Sequence, residues 1–495
     1  MMTPLRERAS WAIKWSGTSQ LGRQLLQLAA LAVLARFVSP SDFGLLGMAA
    51  VFVGFVAIFK DLGTAAAVVQ RKEVSRRFLS TVFWTNVGLG FLAMLALLLS
   101  APLIADLYHQ PRVTAVLRAL SAGFLISALG ALQQSLMERH LRMRRLALLE
   151  VTSVAVGSSA AVIAAVQGWG VWSLVVMSLV TSACNTLLLW VAADWLPGWE
   201  FSAAELKTTI RFSLSLTGFN VANYGVRNAD NLLVGRYLGT QALGYYSLAY
   251  RILLFPLDSI SSVVSRVAFP VYSRIQDDLE RFRRGYLLSA RSIALVTFPL
   301  MLGLVALREP FVLAVFGEQW RPMIPLLAIL APVGMIQSVT TTVGSIYMAT
   351  GRTDWQLGWG LFSGCVVIAG FIVGLRWGVY GVAGAYAIVS VALLYPCFAI
   401  PFRLIHLRLR ALVVALWTIT LASCAMCLGL IGAESILPGG MRPWAVLTVL
   451  IPLGAALYAG VLRIIDVTPM REVLAALKSR ADTANGDPSG EEHRH

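Results

Sequence analysis

Charge is scarce in this sequence. Asp, Glu, Lys and Arg make up 13% of its 495 residues, against roughly 25% in a typical soluble domain, and that deficit excludes an ordinary water-exposed globule. Cysteine is scarce too. The five present, Cys184, Cys365, Cys397, Cys424 and Cys427, all fall in apolar stretches, so no disulfide framework is implied. Cys424 and Cys427 have the spacing of a redox or zinc pair, but no second cysteine pair or nearby histidine accompanies them, and they read as packing residues. His109, His140 and His406 stand alone in loops, and no metal cluster is visible. A Gly-x-x-x-x-Gly-Lys phosphate loop is absent, which argues against ATP hydrolysis by this chain. Nor is any predicted loop large enough to hold a catalytic centre outside the helices, which disfavours a membrane polymerase or ligase.

Apolar residues, by contrast, make up 58% of the chain. Crossing the hydrocarbon core takes about 20 of them in a helix. Such stretches predict helices near residues 12–37, 43–68, 79–101, 113–137, 147–167, 171–193, 209–238, 242–270, 286–307, 323–349, 356–375, 379–402, 411–432 and 443–463. The stretch Trp15 to Val38 follows Arg6, Arg8 and Lys14 but outruns a signal-peptide core, so it is read as an uncleaved first helix. Beyond Asp466 the chain turns polar, and Ala481 to His495 is read as a disordered cytoplasmic tail.

The net charge of +15 does not point to nucleic acid, because the cations sit in short loops instead of on a solvated face. They alternate in side. With the N-terminus in the cytoplasm, Arg71, Lys72, Arg76 and Arg77, then Arg139, Arg142, Arg144 and Arg145, then Arg281, Arg283 and Arg284, then Arg403, Arg408 and Arg410 all fall inside. Arg112, Arg308, Arg321, Arg376 and Arg442 are left outside. This asymmetry orients membrane proteins, and it predicts an inner-membrane protein with both termini cytoplasmic.

The chain also repeats itself. Ala35-Arg36-Phe37-Val38 with Gly44 matches Gly235-Arg236-Tyr237-Leu238 with Gly244, 200 positions on, and Trp169-Gly170-Val171-Trp172 matches Trp377-Gly378-Val379-Tyr380, 208 positions on. An offset that maps helix 1 onto helix 7 predicts parallel lobes with a substrate between them. The expected organisation is therefore an N-lobe at 1–205, a C-lobe at 206–405, two added helices at 406–465 and a tail at 466–495.

An ionisable side chain at the centre of a span costs about 2.5–3.5 kcal/mol on insertion scales, so those kept there are candidates for function. They are Arg23, Lys60, Asp61, Arg227, Asp230, Arg251 and Asp258. Arg227 and Asp230 are three apart on one helix face and are expected to be able to pair. Arg36 and Arg236 lie near helix ends, where long side chains reach the interface. Phe316-Gly317-Glu318-Gln319-Trp320 reads as a turn with an interfacial aromatic anchor.

Several of these segments resemble a known family. Arg36 to Gly44 and Asp61-Leu62-Gly63 look like the opening of Wzx-type flippases of the polysaccharide-transport family in the MOP superfamily. Arg227 to Asn231, Gly235 to Gly239, Leu243 to Tyr250 and Phe316-Gly317 with Trp320 resemble its colanic-acid exporter branch. The resemblance spans about residues 10 to 460. It implies an all-α MOP-type fold of about fourteen transmembrane helices, two parallel six-helix lobes plus two C-terminal helices, that moves undecaprenyl-diphosphate-linked oligosaccharide across the inner membrane by alternating access. It implies no cofactor, coupling to a proton or sodium gradient, and a polysaccharide polymerase and chain-length regulator as partners. On this reading Arg23, Lys60, Arg227 and Arg251 draw in the diphosphate, while Asp61, Asp230 and Asp258 are candidates for ion coupling or charge pairing. A MATE-like drug exporter or a lipid II exporter of the same superfamily is the alternative, and the drug exporter would expect buried carboxylates to outnumber buried cations.

Overall fold

The computed structural model describes residues 22–60, 68, 71, 74–274, 278–438 and 440–465; the side chains of 203–219, 222 and 258–274 lie outside the description. Every regular element among the described residues is helical. The helices are α1 (22–37), α2 (Pro40–Lys60), α3 (Arg76–Tyr108), α4 (Arg112–Arg139), α5 (Met143–Val166), α6 (Val171–Val191), α7 (Ala203–Arg274) and α8 (Leu279–Ala306). They continue with the short α9 (Arg308–Val315), then α10 (Met323–Thr340), α11 (Val343–Ala349), α12 (Thr353–Gly374), α13 (Gly378–Leu404), α14 (Leu409–Ile436) and α15 (Pro443–Ile465).

Ten described segments are long and apolar enough to cross a membrane, and one of them, Thr353–Leu404, contains both α12 and α13. Helices α1 and α7, which hold three of the expected spans, are described in part and are not among the ten.

Local chemistry sets the ends. Ser75 caps α3 by accepting the Phe78 N–H at 3.1 Å, and Asp278 caps α8 by accepting that of Arg281 at 3.0 Å. The duplicated glycines act as breakers. Gly170 (φ 55°) precedes α6 and Gly378 (φ 69°) stands at the start of α13, both in a backbone region that side chains disfavour. Gly239 (φ 83°) likewise divides α7 into two helices.

The chain forms two compact units. The first contains the described residues up to Arg251 with Val315–Leu326 and Phe362–Tyr386; the second contains Ile252–Ala314, Leu327–Leu361 and the residues from Ala387 on. In the first, α3 packs on α4, α5 on α6, and α4 on α6. Small residues permit the close approach: Gly90 of α3 lies against Ala128 and the Phe124 carbonyl, and Gly157 of α5 against Thr181. Without a hydrophobic drive between helices in lipid, such close packing supplies the attraction. In the second unit α8 packs on α14 and α14 on α15. Its core gathers Tyr286, Phe298, Phe402 and Ile419, and two pairs of its buried polar groups bond each other: Thr297 with Ser338 at 2.9 Å, and Thr342 with Tyr286 at 3.0 Å.

Candidate functional site

A polar cavity of about 390 Å³ lies within the first unit. Helical periodicity brings its lining together. Arg23 and Gln27 are one turn apart on α1; Ser127, Ala131, Gln134 and Glu138 form one stripe on α4; Glu150 and Ser153 face it from α5; and Thr181, Ser182 and Asn185 do so from α6. Lys60, the last residue of α2, and Asn86 of α3 complete the wall.

Its charges are tied to neighbours. Arg23 Nη1 donates to Glu150 Oε2 at 3.3 Å, joining α1 to α5, with 37% and 23% of the two side chains exposed. Lys60 Nζ donates to Ser127 Oγ at 2.8 Å, and Gln134 Nε2 donates to Glu138 Oε1 at 3.1 Å. Thr186 spends its hydroxyl on the Ile126 carbonyl at 2.9 Å. The Asn185 Oδ1 atom is buried with no protein partner among the described residues. Two cations, two carboxylates and a run of amides and hydroxyls make a surface that can both donate to and accept from a polyhydroxylated ligand.

The lining of this cavity comes from α1 to α6, and its two cations are matched by two carboxylates. The sequence reading missed Glu138 and Glu150. A signal existed for Glu150, which stands within the predicted helix at 147–167, where an unpaired carboxylate is costly.

Of the four predicted cations, Arg23 and Lys60 share this cavity. Arg251 lines a separate one of about 180 Å³, with Asn228, Asn231 and Ser247 among Leu31, Phe43 and Val51. Arg227 is exposed and lines neither. The expected Arg227–Asp230 pair is replaced. Buried Asp230 accepts from Tyr246 Oη at 2.9 Å and from the Asn231 N–H at 2.7 Å, bonds within one unit that need no cation. Tyr246 in turn stacks on Tyr250. Asp61 lies outside the described residues, and the Asp258 side chain does too. No group of three or more His, Cys, Asp or Glu that could hold a metal occurs among the described residues.

Trp320 corrects a further expectation. It is fully buried, not an interfacial anchor. Its indole donates to the Ala35 carbonyl at 2.7 Å and meets Phe43 edge-on at 5.2 Å, so it satisfies an orphan carbonyl in the last turn of α1. Beside it Gly44 of α2 lies directly under the Thr240 carbonyl, and Gly244 under that of Pro40.

Comparison with known proteins follows the same lines. A family model described as polysaccharide biosynthesis protein matches residues 33–325. The lipopolysaccharide biosynthesis protein WzxC of Escherichia coli is 32% identical over 391 residues, covering 78% of this chain and 79% of that protein. The teichuronic acid biosynthesis protein TuaB of Bacillus subtilis is 30% identical over 384 residues, 76% and 79% of the two chains. The succinoglycan biosynthesis transport protein ExoT of Rhizobium meliloti is 30% identical over 319 residues, 64% and 65%. Among solved structures, the lipid II flippase MurJ in an inward closed conformation superimposes with a TM-score of 0.74 at 15% identity, covering 93% of this chain and 99% of that one. An inward-facing MATE transporter of the MOP superfamily gives 0.64 at 16% identity, covering 78% and 94%.

Proposed function

The chain belongs to the polysaccharide biosynthesis protein family and has a MOP-type fold, and from that premise we propose that it is a flippase for undecaprenyl-diphosphate-linked oligosaccharide. It moves the repeat unit across the inner membrane for assembly of a surface polysaccharide, by alternating access and without covalent chemistry. One observation carries the reading beyond the relatives' names. The polar cavity lies toward the cation-rich end of its helices, where α4, with Gln134 and Glu138, passes into α5, with Glu150, through Arg139, Arg142, Arg144 and Arg145. By the charge asymmetry of inner-membrane proteins that end is cytoplasmic. A cavity rich in hydroxyl and amide groups then opens on the side where lipid-linked sugars are made. Arg23 and Lys60 supply the phosphate-directed charge, Arg23 with a planar fork suited to phosphate oxygens.

A drug-exporting relative remains the second reading. It asks for carboxylates in excess of cations at the site, and Glu138 and Glu150 are matched by Arg23 and Lys60.

The test is export in a strain whose own flippase is deleted. Arg23→Gln with Lys60→Gln, at unchanged protein level, is expected to lower surface polysaccharide at least about tenfold, the loss of roughly 1.4 kcal/mol of substrate interaction, while lipid-linked repeats accumulate in the cytoplasmic leaflet. Undiminished export would remove the cavity from the transport path.

A further inference from the structure

The contact between Arg23 and Glu150 is unusual for a structural ion pair in a span. Buried pairs that hold helices together need near-ideal geometry and further hydrogen bonds to offset desolvation. This one is a single contact at 3.3 Å between side chains that are 37% and 23% exposed, on the wall of a polar cavity. It ties α1 to α5 across 127 positions of sequence. The other carboxylate of the cavity, Glu138, is held by Gln134 on its own helix. Lys60 is bound to the Ser127 hydroxyl. Arg23 is paired with a carboxylate, and Glu150 is the anion that a phosphate would meet there.

Resting on the flippase reading, we propose that Glu150 is a specificity-determining residue that competes with the anionic headgroup of the substrate for Arg23. Two anions cannot share one guanidinium at the wall of a low-dielectric cavity without repelling each other. An arriving diphosphate must take Arg23 from Glu150, and Glu150 retakes Arg23 as the headgroup leaves. Binding is weakened by that exchange and release is assisted. A transporter gains from such a pairing, because a site that only attracts its cargo holds it. Glu150 also raises the threshold for singly charged or weakly anionic lipids, which gain too little at Arg23 to displace it.

A plain structural clamp between α1 and α5 makes the opposite prediction, which gives the experiment its sign. Wild-type protein, Glu150→Gln, Arg23→Gln and the double variant are placed in nanodiscs, and binding of undecaprenyl diphosphate is measured. Glu150→Gln is expected to bind about tenfold more tightly, at the low end of couplings between close charge pairs. Arg23→Gln binds more weakly, and the double variant matches Arg23→Gln, because the gain runs through Arg23. Glu150→Asp, which withdraws the carboxylate by one carbon, falls between wild type and Glu150→Gln and serves if the glutamine variant does not fold. Inorganic diphosphate as a second probe is expected to give the same order.

Glu150→Gln binding no more tightly than wild type, a gain that survives removal of Arg23, or a gain confined to the prenylated probe would each overturn the competition. Failure of the wild type to bind undecaprenyl diphosphate at all would instead overturn the flippase reading, so the two failures are distinct.

Discussion

Trp320 shows how much one side chain can contribute inside a membrane protein. Its indole N–H occupies the Ala35 carbonyl near the end of α1, and its ring fills the space beside Phe43 and Tyr245. Replacing it by phenylalanine keeps an aromatic ring but leaves that carbonyl without its indole donor. Trp320→Phe is expected to cost about 1–3 kcal/mol, read as a lower melting temperature in detergent. An unchanged melting temperature would mean that Gln319, which also donates to Ala35, makes good the loss. Nothing in the motif Phe316 to Trp320 marks the residue as buried; an interfacial anchor and a plug have the same composition. What distinguishes them is a carbonyl 285 positions away.

At the scale of elements, the duplication acquires a physical meaning. Gly44 and Gly244 are 200 positions apart, and so are the residues whose carbonyls they lie against, Pro40 and Thr240. Gly44 lies under Thr240 and Gly244 under Pro40, a reciprocal crossing of the start of α2 and the second part of α7 in which each repeat supplies a glycine and receives a backbone. A Cβ at either position would overlap a carbonyl. Ser41 and Thr240 hydroxyls, 2.9 Å apart, close the same crossing. Gly44→Ala and Gly244→Ala are each expected to destabilise by about 1–3 kcal/mol through overpacking. Gly88→Ala in α3, where an added carbon meets nothing within 4 Å, is the control and should leave thermal stability unchanged or slightly raised. Equal behaviour of all three in a melting assay would dissolve the crossing as an explanation of the repeat. The second glycine pair, Gly170 and Gly378, is explained differently: both adopt positive φ where a helix begins, so backbone freedom is what recurs there.

For the whole molecule, the distribution of Lys and Arg makes a prediction that needs no side-chain geometry. Alkaline phosphatase fused after Gln110, between α3 and α4, is expected to be active, and fused at the C-terminus to be inactive, while green fluorescent protein at the C-terminus fluoresces. Activity of the C-terminal phosphatase fusion would reverse the orientation and with it the cytoplasmic placing of the cavity. At the cation-rich end an ion pair of Arg142 with Asp194 ties the α4–α5 turn to the segment after α6.

Membrane residence, the all-helical class and most span positions were legible in the chain because hydropathy and periodicity are local and additive: a run such as Val171–Val191 reports its own character whatever surrounds it. Boundaries shifted where caps act outside the apolar run, as at Ser75 and His109 around α3. The site followed a different rule. Arg23 and Lys60 were identifiable as costly charges, yet their common cavity, the separation of Arg251 from it, the tyrosine partner of Asp230 and the contact of Glu150 with Arg23 depend on how far each helix is rotated about its axis and which neighbour it packs against. A rotation of one residue turns a side chain by about 100°, enough to exchange a cavity for lipid, and no local property of the sequence carries that angle.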